Sequence, residues 1–288
     1  MRSRSALLWL THVWDLELRA EFEKFLRMNP DSAPDVWLLL DSRTRSAADL
    51  AEQYPQCHLF DEESVFRLPY PRLPGRGLMD HIHFPVLDFY LSHRGYEAYW
   101  IVEYDVRYTG EWESFLHSFG SLDHDLITSH IRRFAQEPRW PWWGSLHHPT
   151  QIVPQDQYVR SFNVIYRVSN RALEFLHQAQ LDGWRGHPEV SFPTLLSNNG
   201  FSLLDFGGSG EFSPPQNKNR VYTSRGSASG YLSMFGTLRF RPARSKPGGN
   251  PDMLYHPVKP KSMLEPRTAI PGIAARMAWE FTRDLGWR

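Results

Sequence analysis

The chain has 288 residues with 32 basic and 32 acidic side chains, a formal net charge of zero, so neither a polyanion-binding face nor an acidic tail is indicated. Its single cysteine, Cys57, excludes an intrachain disulfide and a cysteine-based zinc cluster, and fits a reducing cytoplasm. The length suits one large α/β domain or two small ones.

The N-terminal run Ala6-Leu7-Leu8-Trp9-Leu10 is broken by Thr11-His12. It is too short for a signal sequence or a transmembrane segment, and it reads as a first buried strand. Helical spacing follows over Leu16 to Met28 and stops at Asn29-Pro30-Asp31. Asp35 to Asp41 is a second buried strand ending on an acid, Ser46 to Tyr54 a short helix, and Cys57 to Phe60 a third strand. The Pro/Gly-rich stretch from Leu68 to Gly77 is a loop, and a helix is expected over Met79 to Ser92. Tyr99 to Val106 is a β-rich run that enters apolar and ends in acids; Asp125 to His130 is a further strand. Arg139 to Gly144 is a tryptophan-rich loop. Ser161 to Ser169 is a strand leading into a helix at Asn170 to Gln178. Glu189 to Leu196 is helical and stops at Asn198-Asn199-Gly200, and Ser202 to Phe206 is a late strand. Gly207 to about Lys261 is loop-rich, and a terminal helix is expected over Gly272 to Leu285. Short apolar runs alternating with helical stretches indicate a layered α/β fold with a mostly parallel sheet.

The segment with most chemical content is Glu103-Tyr104-Asp105. Two carboxylates two apart on a strand share one face, and a bend at the strand's end lets them converge on one cation or one ribose. Ligands of open α/β sheets bind beyond the carboxyl ends of strands, where these acids sit. A divalent ion such as Mg²⁺ or Mn²⁺ takes carboxylate oxygens and bridges diphosphates. Aromatic residues make up 14% of the chain, with 11 tryptophans; they suit stacking on the apolar faces of sugars and equally suit core packing. Gly207-Gly208-Ser209-Gly210 lacks the features of a phosphate loop, and neither a Gly-x-Ser-x-Gly elbow nor a His-Glu-x-x-His motif occurs. The basic run Arg239 to Lys246 reads as a solvated loop, and no nucleic-acid partner is expected.

Trp100-Ile101-Val102-Glu103-Tyr104-Asp105-Val106-Arg107-Tyr108-Thr109-Gly110-Glu111-Trp112 resembles the Asp-x-Asp-like motif of GT-A nucleotide-sugar glycosyltransferases. It is most similar to the form found in an uncharacterised family known only as a domain of unknown function. Asp80 to Pro85, Gly186 to Leu196 and Tyr255-His256-Pro257-Val258-Lys259 are similar to that family too, and the likeness spans most of Leu78 to Lys259. The first acid of the motif is Glu where the pattern has Asp.

The resemblance implies a GT-A-like (Rossmann-like) three-layer sandwich with one mixed, mostly parallel sheet in a single domain. Its nucleotide-sugar half would cover residues 1–130, its acceptor half 131–262 and a C-terminal helix 263–288. It implies a nucleotide diphosphate sugar as donor and Mn²⁺, or Mg²⁺, held by Asp105 and His256. Glu103 would join them at the metal or sit on the ribose, and Lys259 would contact phosphate. Arg76 and Asp80 would hold the diphosphate and donor sugar, with capping of a helix the other use of Asp80; Asp41 would approach the nucleoside or cap a turn. Glu189 would be the base that deprotonates an acceptor hydroxyl in an inverting reaction, or a complement to its helix dipole. Trp142 and Trp143, with Trp140, would stack on sugar or base, or pack in the core. The acceptor would be a saccharide, a lipid-linked molecule or a small molecule, reached in the cytoplasm with or without peripheral membrane contact. The competing readings are a non-catalytic carbohydrate-binding protein and a metal-dependent phosphohydrolase.

Overall fold

The computed structural model describes residues 4–224, 230 and 236–264. The helix expected over Gly272 to Leu285 lies outside the described residues.

Strands β1 (Ser5–Thr11), β2 (Asp35–Asp41), β3 (Cys57–Phe60) and β4 (Ala98–Glu103) form a parallel half-sheet, connected through α1 (Leu16–Leu26), α2 (Ala47–Gln53), the single turn α3 (Glu62–Val65) and α4 (His83–Ser92). After β5 (Arg107–Tyr108) and α5 (Trp112–Gly120), the sheet continues through β6 (Leu126–Arg133) and β7 (Val159–Ser169). Helices α6 (Asn170–Asp182) and α7 (Pro188–Asn198) and strand β8 (Leu203–Asp205) follow. The order is β3-β2-β1-β4-β7-β6-β8, and β7 alone of these runs against the others. A separate ribbon pairs β5 with β9 (Leu254–Tyr255). This is the three-layer, mixed and mostly parallel α/β sandwich expected from the sequence. No helix among the described residues is long and apolar enough to cross a membrane.

The central strands read as unbroken apolar runs because both of their faces are covered. Leu8, Leu10, Tyr99 and Ile101 point into one core with α4, α6 and α7; Leu7, Trp9, Trp100 and Val102 point into the other with α1, α2 and α5. The alternation is the period-2 pleat of a strand, and each face is sealed by an apolar helix stripe. Asp15 caps α1 by accepting from the Leu18 amide at 2.9 Å, and Ser169 caps α6 by accepting from the Ala172 amide at 3.2 Å.

Several local structures differ from the expectation. The helix expected from Met79 begins at His83, preceded by a separate 3₁₀ turn over Leu78–His81. Pro85 explains the break: in an α-helix its ring would meet the carbonyl four residues back, at His81. The β-rich run to Val106 ends at Glu103, and the Val106 amide donates back to the Glu103 carbonyl at 3.0 Å. Helix α5 was not expected, although Trp112, Phe115, Leu116 and Phe119 are spaced to cover one face and all are buried.

Candidate active site

A cleft of about 940 Å³ opens along the C-terminal edge of β1, β2 and β4. The register sets Leu10 beside Glu103, so Thr11 and His12 at the end of β1 adjoin the acidic motif. The turn after Glu103 redirects Asp105, and both carboxylates come to one place although they do not share a strand. His256 joins them from the other end of the chain. The β5–β9 ribbon pairs Arg107 with Tyr255, the His256 amide donates to the Thr237 carbonyl at 3.0 Å, and the Val258 amide donates to the Asp105 carbonyl at 2.8 Å. These backbone bonds deliver an imidazole from a loop-rich segment to the sheet edge.

Ligand atoms of Glu103, Asp105 and His256 all lie within 4.8 Å of one another. His256 Nε2 is 3.3 Å from Asp105 Oδ1 and 3.8 Å from Glu103 Oε2. Its Nδ1 lies 2.7 Å from the Arg239 carbonyl and donates there, which turns Nε2 toward the carboxylates. Asp105 Oδ1 is buried and has no hydrogen-bond partner among the described residues. Beyond its contact with His256, this oxygen is a place that a bound cation would satisfy. Two carboxylates and one imidazole suit Mn²⁺ well. The residues present therefore fit one divalent ion.

The charges of the cluster act strongly on one another. Burial and the neighbouring Asp105 carboxylate push Glu103 up. Burial also works to raise Asp105, but His256 and Lys259 outweigh it and hold the carboxyl below its usual value. Burial works against the charge on His256, yet Asp105 and Glu103 raise it. Lys259 Nζ stands 3.6 Å from Asp105 Oδ2 and donates to the Tyr104 hydroxyl at 3.1 Å.

Across the cleft, Glu189 occupies the first turn of α7, which Pro188 opens at the position where its missing N–H costs nothing. The Asn163 amide donates to Glu189 Oε1 at 3.3 Å, and His187 Nδ1 accepts from the Glu189 amide at 3.4 Å. The helix end is thus capped by His187, and the Glu189 side chain is left facing the cleft. Burial pushes the Glu189 carboxyl up to about 7, against the pull of Arg160. Burial drives the His187 imidazole down to about 3, so it is neutral.

Of the other expected residues, Asp41, Asp80, Lys259 and Trp142 line the cleft. Asp41 is bound by Arg43, with Nη2 2.6 Å from Oδ2 and the Arg43 amide 2.9 Å from Oδ1. Asp80 lies in the 3₁₀ turn and not at a helix cap; Arg76 approaches it at 3.9 Å and covers the Trp142 ring at 5.1 Å, outside the cleft wall. Trp142 is stacked on His187 at 4.5 Å. Trp143 is corrected to a core residue: it is buried, its indole N–H donates to the Glu137 carbonyl at 2.8 Å, and Trp140 takes its place in the cleft wall. Its face is packed against Trp140 and Phe134 and has no room for a ligand.

Sequence reasoning did not single out Thr11, His12, Arg43, Arg160, Asn163 or His187 as site residues, and all line the cleft. A signal existed for two of them. Arg160 and Asn163 are polar intrusions at one end of a strand that is otherwise largely apolar and buried over its length. The strand expected from Ser161 begins two residues earlier, at Val159, and so takes in Arg160.

A family model described as "Protein of unknown function (DUF3405)" matches residues 43–126. A search of curated proteins finds no match. Among solved structures, an active-site mutant of LgtC is similar at 11% identity and a TM-score of 0.42, covering 97% of this chain and 95% of that one. Mouse xyloside xylosyltransferase 1 in its apo form is similar at 14% identity and a TM-score of 0.38, covering 71% of this chain and 86% of its own. The bifunctional WbbM glycosyltransferase, also apo, is similar at 9% identity and a TM-score of 0.37, covering 68% of this chain and 37% of its own. At these values the likeness is one of chain path, and the function of the site has to be read from its own geometry.

Proposed function

We propose that the protein is a metal-dependent glycosyltransferase that moves a sugar from a nucleotide diphosphate sugar to an acceptor hydroxyl with inversion. The observation that carries this reading is the convergence of Glu103, Asp105 and His256 at the carboxyl edge of the sheet, with Glu189 facing them across one cleft.

In this reading Asp105 and His256 hold the ion directly, with Glu103 beside them. A bound divalent ion supplies positive charge against the charge that develops on the departing diphosphate. Lys259 adds a second positive charge next to the cluster and donates to a phosphate oxygen. Tyr104, which accepts from Lys259, aims that ammonium. Asp41, Arg43, Thr11 and His12 at the ends of β1 and β2 form the wall that the nucleoside would meet. Glu189 removes the proton from the acceptor hydroxyl as that oxygen attacks the anomeric carbon. A carboxylate whose proton affinity lies near neutrality is suited to this work, since a substantial fraction is ionised at neutral pH and it is still basic enough to accept the proton.

A thermal-shift panel of nucleoside diphosphates with and without Mn²⁺ tests the donor site. Saturation at about a hundred times the dissociation constant adds roughly 2.7 kcal/mol of stability. The expected result is a shift for one nucleotide that requires Mn²⁺ and disappears in Asp105→Ala. A folded protein that shifts with no nucleotide would overturn the assignment and favour a sugar-binding protein without transferase activity.

A further inference from the structure

Arg107 is a buried cation that the reaction above leaves without a task. It follows Asp105 at the start of β5 and is 4% exposed. Its Nε lies 3.5 Å from Oε2 of Glu21 on α1, whose carboxylate also accepts from Lys24 at 2.9 Å. Its Nη2 is buried and has no hydrogen-bond partner among the described residues. Glu21 therefore meets only part of the fork. What the guanidinium does reach is the turn of the acidic motif: Nη1 donates to the Tyr104 carbonyl at 2.6 Å and to the Val106 carbonyl at 3.0 Å.

These two carbonyls flank Asp105. Strand β4 has ended at Glu103, so the carbonyls of the turn have left the main sheet and each needs another donor. The carbonyl of Asp105 itself accepts from the Val258 amide at 2.8 Å. The backbone is thus held before, at and after Asp105, which fixes the direction in which its side chain departs, and its carboxylate meets His256 Nε2 at 3.3 Å. The backbone of Arg107 acts on the other arm of the cluster, since it pairs with Tyr255, the residue before His256. One residue braces both candidate ligands. The turn also carries Tyr104, whose hydroxyl accepts from Lys259 at 3.1 Å. An apolar side chain of similar length would fill the same space without the cost of burying a charge, but would leave two buried carbonyls of the turn without a donor.

We infer that Arg107 is a positioning residue of the proposed metal site: by bridging the carbonyls on either side of Asp105, it holds that carboxylate where it and His256 can share one ion. The inference rests on the metal-dependent part of the function proposed above.

Electron paramagnetic resonance titration of the full chain with Mn²⁺ tests it in three variants. Arg107→Met removes both bonds and keeps the stem; Arg107→Lys keeps the charge near Glu21 with a shorter reach and no fork. Leu173→Ala opens a cavity in the core on the opposite face of the sheet. Arg107→Met is expected to weaken Mn²⁺ binding by at least about ten-fold and to change the zero-field splitting of the bound ion, since partners outside the ligand set typically account for about 10–100-fold. Arg107→Lys should fall between it and the wild type. Leu173→Ala should melt at a lower temperature and bind Mn²⁺ as the wild type does, which separates positioning from a general loss of stability. Wild-type affinity and an unchanged spectrum in Arg107→Met, or in Arg107→Lys should the first variant not fold, overturn the inference. An equal loss of affinity in Leu173→Ala does the same. A wild-type protein that binds no Mn²⁺ sinks the metal-site reading itself, and the inference with it.

Discussion

His256 Nε2 stands 3.3 Å from Asp105 Oδ1 while its other ring nitrogen is held at 2.7 Å by the Arg239 carbonyl. The two residues come from opposite halves of the chain, and the backbone carbonyl decides which nitrogen of the imidazole is presented. This arrangement makes the proposed metal site sensitive both to its ligands and to the segment that carries His256.

Removing a ligand should abolish ion binding. Asp105→Asn and His256→Ala are each expected to weaken Mn²⁺ affinity by at least about 100-fold, since outer hydrogen-bonding partners alone typically account for 10–100-fold. Electron paramagnetic resonance titration of free Mn²⁺ measures this directly. Retention of wild-type affinity in both variants would remove these residues from the ligand set.

The Thr109 hydroxyl ties the His256 segment to β5: it donates to the Asn250 carbonyl at 2.6 Å and accepts from the Met253 amide at 3.0 Å. Thr109→Val keeps the shape and deletes both bonds, so a loss of about 1–3 kcal/mol is expected. Because β9 lies immediately before His256, Mn²⁺ affinity should fall along with the melting temperature. A variant that melts lower but binds Mn²⁺ normally would show that the clasp does not position the imidazole.

Glu189 should cost the fold stability at alkaline pH. Its folded value near 7 lies above the usual 4.5 of a glutamate. Below about pH 4.5 it is protonated folded and unfolded alike, and contributes no penalty. As pH rises from there the unfolded chain ionises first, and above about pH 7 the folded state carries the full cost of a buried carboxylate. Glu189→Gln is therefore expected to stabilise the protein by about 1–3 kcal/mol at pH 8 and by little at pH 4.5, read from denaturant titrations at the two values.

The same group should set the acid limb of the reaction. With Glu189 as base, kcat/KM rises with pH and levels off above about 7, because only the ionised carboxylate accepts the proton. Glu189→Gln should lower kcat by about 10²–10⁴-fold while leaving nucleotide binding intact. A variant that retains kcat, or an acid limb that persists unchanged in it, would assign the proton transfer elsewhere.

Lys259→Met should weaken nucleoside diphosphate binding by about 10-fold or more and leave nucleoside binding nearly unchanged, since the ammonium faces Asp105, where the proposed function puts the diphosphate. Equilibrium titration with a nucleoside and its diphosphate separates the two cases.

The amino-acid sequence by itself determined the sheet. Runs such as Ala6 to Leu10, Val36 to Leu40 and Tyr99 to Val102 are apolar at every position, and such runs are stable only when covered on both faces. It also marked Glu103 and Asp105, because acids at the end of such a strand stand out against it. Tertiary structure decided what joined them. Nothing local to Tyr255-His256-Pro257 aims its imidazole at the sheet edge; the β5–β9 ribbon and the Arg239 carbonyl do. Likewise Trp140 and Trp143 are near-identical neighbours in the chain, yet one walls the cleft and the other fills the core. Arg160 falls just outside the strand read from the sequence and is an ordinary polar residue there until Glu137 and Trp140 are folded against it. Periodicity records which residues are covered, a property of each segment and its hydration. Convergence of side chains from distant segments is a property of packing, and appears only once the layers are assembled.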